Sequence, residues 1–139
     1  RGFERWPNVI KLLGQLPPEA AREAIYAADG LINIGNMTTY QLPSKVVEYV
    51  ASGKPILNLC SSVNDSSAKF FERYPLVCNI TMSGSPSAQA VETFRKFLDE
   101  MVGQRVDPDL IEEIIAPYSS GKVATQYADL IATYSNDRQ

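Results

Sequence analysis

Gln41-Leu42-Pro43-Ser44-Lys45-Val46-Val47-Glu48-Tyr49-Val50-Ala51-Ser52-Gly53-Lys54-Pro55-Ile56-Leu57 is the stretch on which the fold turns. It opens a helix on a turn at Pro43, ends it at Gly53, and passes through Pro55 directly into an apolar strand. A helix start of this kind carries more than punctuation. Its exposed backbone N–H groups and its dipole favour an anion; Ser44 adds a hydroxyl donor and Lys45 a full positive charge, a set suited to phosphate. Glu48 lies four residues after Ser44 and three after Lys45, one turn deeper on the same helical face. A carboxylate there can accept two hydrogen bonds from a vicinal diol such as a ribose. The same residues also serve as ordinary helix punctuation, with Lys45 and Glu48 as solvated surface.

Outward from this segment, strand and helix signals alternate. Towards the N-terminus, Val9 to Leu13 reads as a strand ending at Gly14, Pro17-Pro18 opens an Ala-rich helix to about Ala28, and Leu31 to Ile34 is the next strand. The motif helix spans about Ser44 to Ser52, and Pro55 to Leu59 is a third strand. Asp65 to Tyr74 reads as a helix with Phe70 and Phe71 inward, and Leu76 to Ile80 as a fourth strand. Ser87 to Val102 carries Val91, Phe94, Phe97, Leu98 and Met101 at helical spacing, a stripe that reads as core. Asp109 to Tyr134 supplies two more helical segments, broken near Pro117 and at Ser119-Ser120-Gly121.

Short apolar strands alternating with helices imply right-handed crossovers and an α/β, Rossmann-like, doubly wound parallel sheet covered on both faces. Ligands then belong outside the carboxyl ends of the strands. Gly14-Gln15-Leu16, the loop from Gly35 to Ser44, and Ser61 to Asp65 all fall there.

At 139 residues and 45% hydrophobic content the chain suits one domain with a packed core, residues 8–103, followed by C-terminal helices over 107–135. It holds no apolar run of membrane-span length. A formal net charge of −3 argues against a general nucleic-acid binder, so any anion site must be local. Cys60 and Cys78 lie in apolar strand patterns and read as buried free thiols in a reducing cytoplasm. With no histidine and two cysteines no zinc site is recognisable, and no metal is expected. Three matches to the glycosylation acceptor pattern, at Asn36, Asn64 and Asn79, read as chance.

Asn36 to Leu57, with Ala28-Asp29-Gly30-Leu31-Ile32-Asn33-Ile34 before it, resembles the donor-binding half of GT-B glycosyltransferases, especially retaining enzymes similar to the GT4 family. The shared pattern is a strand after an Ala-Asp helix end, a loop, then Pro-Ser-Lys-x-x-Glu-Tyr-x-Ala-x-Gly-Lys-Pro-Ile, in order over about Asn8 to Ile80. The resemblance implies a partial GT-B C-terminal domain that binds a nucleotide diphosphate sugar as donor substrate and needs no cofactor. Pro43, Ser44 and Lys45 then face the diphosphate, with Lys45 stabilising the leaving group. Glu48 holds the ribose, and Gln15 and Leu16 border the base. Many members place a further glutamate eight positions before the ribose one; here that position is Tyr40, so Tyr40 or Gln41 would meet the sugar instead.

The resemblance also implies that two strand-helix units and an N-terminal acceptor domain stand ahead of this segment in a complete enzyme, which would be cytoplasmic and able to sit at a membrane surface. Alone, the chain is expected to expose unpaired strand edges, to pair with another copy, rearrange or aggregate, and to transfer no sugar. Two rivals are a GT-B-fold sugar-nucleotide 2-epimerase and a receiver-like regulatory module. The first needs carboxylates and a histidine absent here; the second needs its Lys-Pro pair after a strand, whereas Lys54-Pro55 precedes one.

Overall fold

The computed structural model describes residues 8–35, 40–62, 64–82 and 84–136. Three parallel strands, β1 (Leu31–Ile34), β2 (Ile56–Cys60) and β3 (Val77–Thr81), form one sheet in the order β1-β2-β3. Helix α1 (Pro18–Ala27) precedes β1, α2 (Ser44–Ala51) joins β1 to β2, and α3 (Ser66–Phe70) with a 3₁₀ turn (Phe71–Arg73) joins β2 to β3. After β3 come α4 (Ala88–Lys96), a π turn (Phe97–Met101), α5 (Pro108–Ile115), a 3₁₀ turn (Ala116–Tyr118) and α6 (Ser120–Asn136). The chain is therefore α/β with a small parallel sheet, compatible with a Rossmann-like fold.

The alternation of each strand sends its residues to two faces. Leu31 and Ile56 point to one face, where they meet Val46 and Val50 of α2, Phe71, Tyr74, Val106 and Ile114 in the main core. Leu57 and Cys78 point to the other and pack on Phe97, with Leu59, Ile80 and Met101 around them. Each fully buried side chain of Val, Ile or Phe size contributes roughly 1.5–3 kcal/mol, so the first and larger cluster dominates stability. Phe70 packs edge-on against Tyr118, ring centroids 5.0 Å apart, which fastens α3 to the turn after α5.

The amino end of the sheet is closed by Lys54, which is 3% exposed. Its ammonium donates to the carbonyls of Tyr26, at 2.5 Å, and Ala28, where α1 ends without a basic residue of its own. A cation at this position complements both the orphan carbonyls and the helix dipole. The Lys54 carbonyl in turn accepts from the buried Tyr74 hydroxyl at 2.7 Å. Just before it, Gly53 takes φ +69, the left-handed turn that stops α2, and its carbonyl accepts from Val106 N–H at 2.9 Å.

Two readings of the sequence are corrected. Val9 to Leu13 is not a strand: the segment runs irregularly with Val9, Ile10, Leu12 and Leu13 exposed. Among the described residues β1 pairs with β2 alone, and the segment forms no ladder with the free edge of β1, so its β propensity goes unused. The stripe along residues 87–102 is only partly core. Phe97 is buried and Met101 half-buried, but Val91, Phe94 and Leu98 are exposed. Val102 N–H bonds back to Phe97 at 3.1 Å, a π-type closure that breaks the helical period, and α4 packs on the edge strand β3. The other elements lie within a residue or two of their expected bounds, though the Asp65–Tyr74 segment is a short α-helix finishing in a 3₁₀ turn. The acceptor pattern at Asn36 lies outside the described residues.

Both thiols are free and buried. Burial pushes each of them up, helped by Asp65 at Cys60 and, at Cys78, by Glu100 against the opposing Lys96. Burial likewise raises the phenols of Tyr74 and Tyr49, the latter with help from Glu48. A raised folded-state value means that the native chain keeps protons the unfolded chain has lost. Stability therefore falls as pH rises through the ordinary thiol value of 9.0 and the phenol value of 10.0. Urea midpoints measured from pH 8 to 10.5 should decline, and Cys60→Ser/Cys78→Ser should flatten the onset near pH 9. Lys54→Met, which keeps the stem but removes the ammonium, should lower unfolding free energy by about 2–3 kcal/mol, read by urea denaturation at pH 7.

Candidate functional site

Each crossover helix runs back against the strands, so α2 and α3 both begin at the carboxyl end of the sheet. The two starts are built differently. Asp65 caps α3: its carboxylate, 2% exposed, accepts from the backbone N–H groups of Ser67 at 2.9 Å, Ala68 at 3.4 Å and Ser61 at 3.2 Å. One oxygen of that carboxylate also presses on Gly35, where an added Cβ would lie 1.9 Å from Asp65 Oδ2. Ser61 Oγ completes the closure by donating to the Gly35 carbonyl at 2.8 Å. Asp65 thus binds the ends of β1 and β2 to α3, and its acceptor capacity is spent on the fold.

Helix α2 has no such cap. Pro43 stands at its N-cap position, no side chain bonds its first turn, and Ser44 and Lys45 are the first two helical residues, both exposed. Among the described residues the Lys45 and Glu48 side chains form no hydrogen bond or ion pair. Glu48 is exposed. It borders a cavity of about 220 Å³ with Arg22, Ile25, Tyr26 and Ala51, between α1 and α2.

The sequence-derived candidates do not all converge. Gln15 is exposed and Leu16 half-buried in the irregular segment before α1. Tyr40 and Leu42 turn to the other side of the loop and line a cavity of about 450 Å³ with Phe70, Arg73, Pro117 and Tyr118, among others. Gln41 is exposed, and its carbonyl accepts from Ser66 Oγ at 2.8 Å. Pro43, Ser44 and Lys45 form one group at the start of α2; Glu48 borders a different cavity from Tyr40. Lys54, despite sitting in the same sequence motif, stands at the opposite end of the sheet. Among the described residues no group of three histidine, cysteine or carboxylate side chains could hold a metal ion, and no helix is long and apolar enough to cross a membrane.

A polar row outside the sequence motif crosses the sheet. Asn33, Asn58 and Asn79 occupy one register level of β1, β2 and β3. Asn33 Nδ2 donates to Asn58 Oδ1 at 2.7 Å, and Asn58 Nδ2 to Asn79 Oδ1 at 2.8 Å. Asn58 is wholly buried; Asn79 reaches the surface in a polar cavity with Asn64, Lys69 and Glu72. The signal was present, since each asparagine stands inside an apolar run: Ile-Asn-Ile, Leu-Asn-Leu and Cys-Asn-Ile.

Gly35→Ala should drive the Asp65 carboxylate out of its seat, uncapping α3 and leaving the Ser61 N–H unpaired. The expected loss is roughly 2–4 kcal/mol in urea unfolding. An unchanged midpoint would show that the carboxylate does not need that space.

Comparison with known proteins finds no match of this chain to a protein family, to a curated protein or to a solved structure.

Proposed function

We propose that this chain is the donor nucleotide-sugar binding part of a retaining GT-B glycosyltransferase of the GT4 kind, transferring a sugar from a nucleotide diphosphate sugar to an acceptor held by another domain. The observation that carries the reading is the start of α2. An uncapped helix N-terminus bearing Ser44 and Lys45 lies at the carboxyl end of a parallel sheet, where α/β folds bind nucleotides. The Pro-Ser-Lys-x-x-Glu spacing of Pro43 to Glu48 supports the same reading.

In this reading the diphosphate meets the free amides of the first turn, the Ser44 hydroxyl and the Lys45 ammonium. As the glycosidic bond breaks, negative charge accumulates on the departing diphosphate. Helix dipole and Lys45 stabilise it by electrostatics already in position, without a metal. Glu48, exposed in the free chain, is available to a ribose diol and loses water when the nucleotide covers it. Tyr40 and Gln41 are the candidates to contact the sugar. Doubly wound topology and a complete GT-B architecture belong to the same proposal.

Calorimetric titration of the chain with UDP, GDP and ADP tests it. One nucleoside diphosphate should bind, and Glu48→Ala and Lys45→Ala should each weaken that binding about tenfold, the equivalent of one charge-assisted hydrogen bond. In an enzyme that includes the acceptor domain, Lys45→Ala should lower kcat more than it weakens binding of the intact donor, because the charge it meets is largest in the leaving group. Absence of binding by all three nucleotides, or binding indifferent to both substitutions, overturns the assignment.

A further inference from the structure

The asparagine row is held by little besides itself. Among the described residues the side chains of Asn33, Asn58 and Asn79 bond only to one another and to the Cys60 thiol, so no backbone group or charge fixes which way their carboxamides point. The two ends of a carboxamide have nearly the same size, and the packing around a buried one does not tell its oxygen from its nitrogen. Hydrogen-bond partners alone do so.

All three amides point the same way. Asn33 Nδ2 donates to Asn58 and Asn58 Nδ2 to Asn79, so the donors run from β1 towards β3. Asn79 Oδ1 is thereby occupied, and the Asn79 N–H groups are left for the polar cavity shared with Lys69 and Glu72. At the other end Asn33, 6% exposed, keeps Oδ1 as the group that Asn58 does not use.

Reversing Asn58 alone would set donor against donor at Asn33 and acceptor against acceptor at Asn79, two mismatches around a wholly buried side chain. Reversing all three restores both bonds with donor and acceptor exchanged. Cys60 suits either direction: its sulfur accepts from Asn58 Nδ2, at 3.2 Å here, and its S–H can donate to Asn58 Oδ1 once the amide has turned. The row therefore has two complete arrangements of one shape.

We infer that the row is a two-state relay across the sheet. A group that accepts from Asn79 holds the present direction; a group that donates to Asn79 reverses it, and the reversal changes what Asn33 presents on β1, two strands or about 10 Å away. Asn33 stands two residues before Gly35, where Ser61 and Asp65 fasten the end of β1. A contact in the cavity beside β3 is thus felt next to the loop that leads to α2. The relay does not depend on the nucleotide reading.

Nuclear magnetic resonance of the isotopically labelled 139-residue chain tests this, reading the direction of the row from the neighbours of the Asn58 amide protons. In the wild-type chain Overhauser intensities should place them closer to the β protons of Cys60 and Asn79 than to those of Asn33. Asn79→Asp, whose carboxylate only accepts, should leave this unchanged. Asn79→Lys, whose ammonium only donates, should move the Asn58 amide protons to Asn33 and release the Asn33 amide protons from Asn58. Position 79 is exposed, so both substitutions spare the core. Asn33→Asp imposes the same reversal from the opposite end and should bond the Asn79 amide protons to Asn58. Retention of the Cys60 contacts in Asn79→Lys or in Asn33→Asp overturns the relay, as does an Asn58 amide that turns while that of Asn33 does not.

Discussion

A buried ammonium holds this fold at its hinge point. Lys54 lies where three chain directions meet: the end of α1, the exit from α2 and the entrance to β2. Its side chain satisfies the last carbonyls of α1, and its own carbonyl anchors Tyr74 from the far side of the core. Water would satisfy those carbonyls in an open chain; in the fold the buried Lys54 side chain does so. Neighbouring backbone bonds, Leu31 N–H to the Pro55 carbonyl and Ile56 N–H to that of Leu76, start both ladders within two residues of the same point.

The two ends of the sheet thus carry opposite logic. At the amino end a cation is consumed internally, with Gly53, Lys54 and Pro55 all buried. At the carboxyl end an anion, Asp65, is consumed internally at α3, while α2 is left with open amides and a solvated Lys45. The start of α2 thus carries uncapped amides and an exposed lysine in a chain whose net charge is −3. On the proposed reading an incoming anion is guided by local dipoles and one lysine, not by net charge.

Much of this was legible beforehand, for identifiable reasons. Pro43, Gly53 and Pro55 bracket α2 and β2 because proline and glycine act on the backbone locally, independent of what packs around them. Val46 and Val50, four residues apart, form the buried face of α2. Val9 to Leu13 misled because strand formation depends on a neighbouring edge, which no local pattern encodes. The exposure of Glu48 was equally hidden, since it depends on what packs beside α1 and α2 in the folded chain. The role of Gly35 depends on a carboxylate thirty positions later in the chain, and the pairing of the three asparagines depends on register across strands; both are properties of the folded sheet.

The asparagine row has a consequence for how the strands choose one another. A shift of one strand by two residues would preserve which side chains face the core, and the strands are uniformly apolar, so hydrophobic contact alone discriminates poorly between the native alignment and a slipped one. A β2 slipped by two residues would set the Asn58 amide against Leu31 and Val77 in one direction and Gly35 and Thr81 in the other. Stranding such a buried amide costs about 1–3 kcal/mol, a large share of a small domain's total stability. Asn33, Asn58 and Asn79 act in that respect as a key that fits only one setting, turning three interchangeable apolar segments into a single ordered sheet.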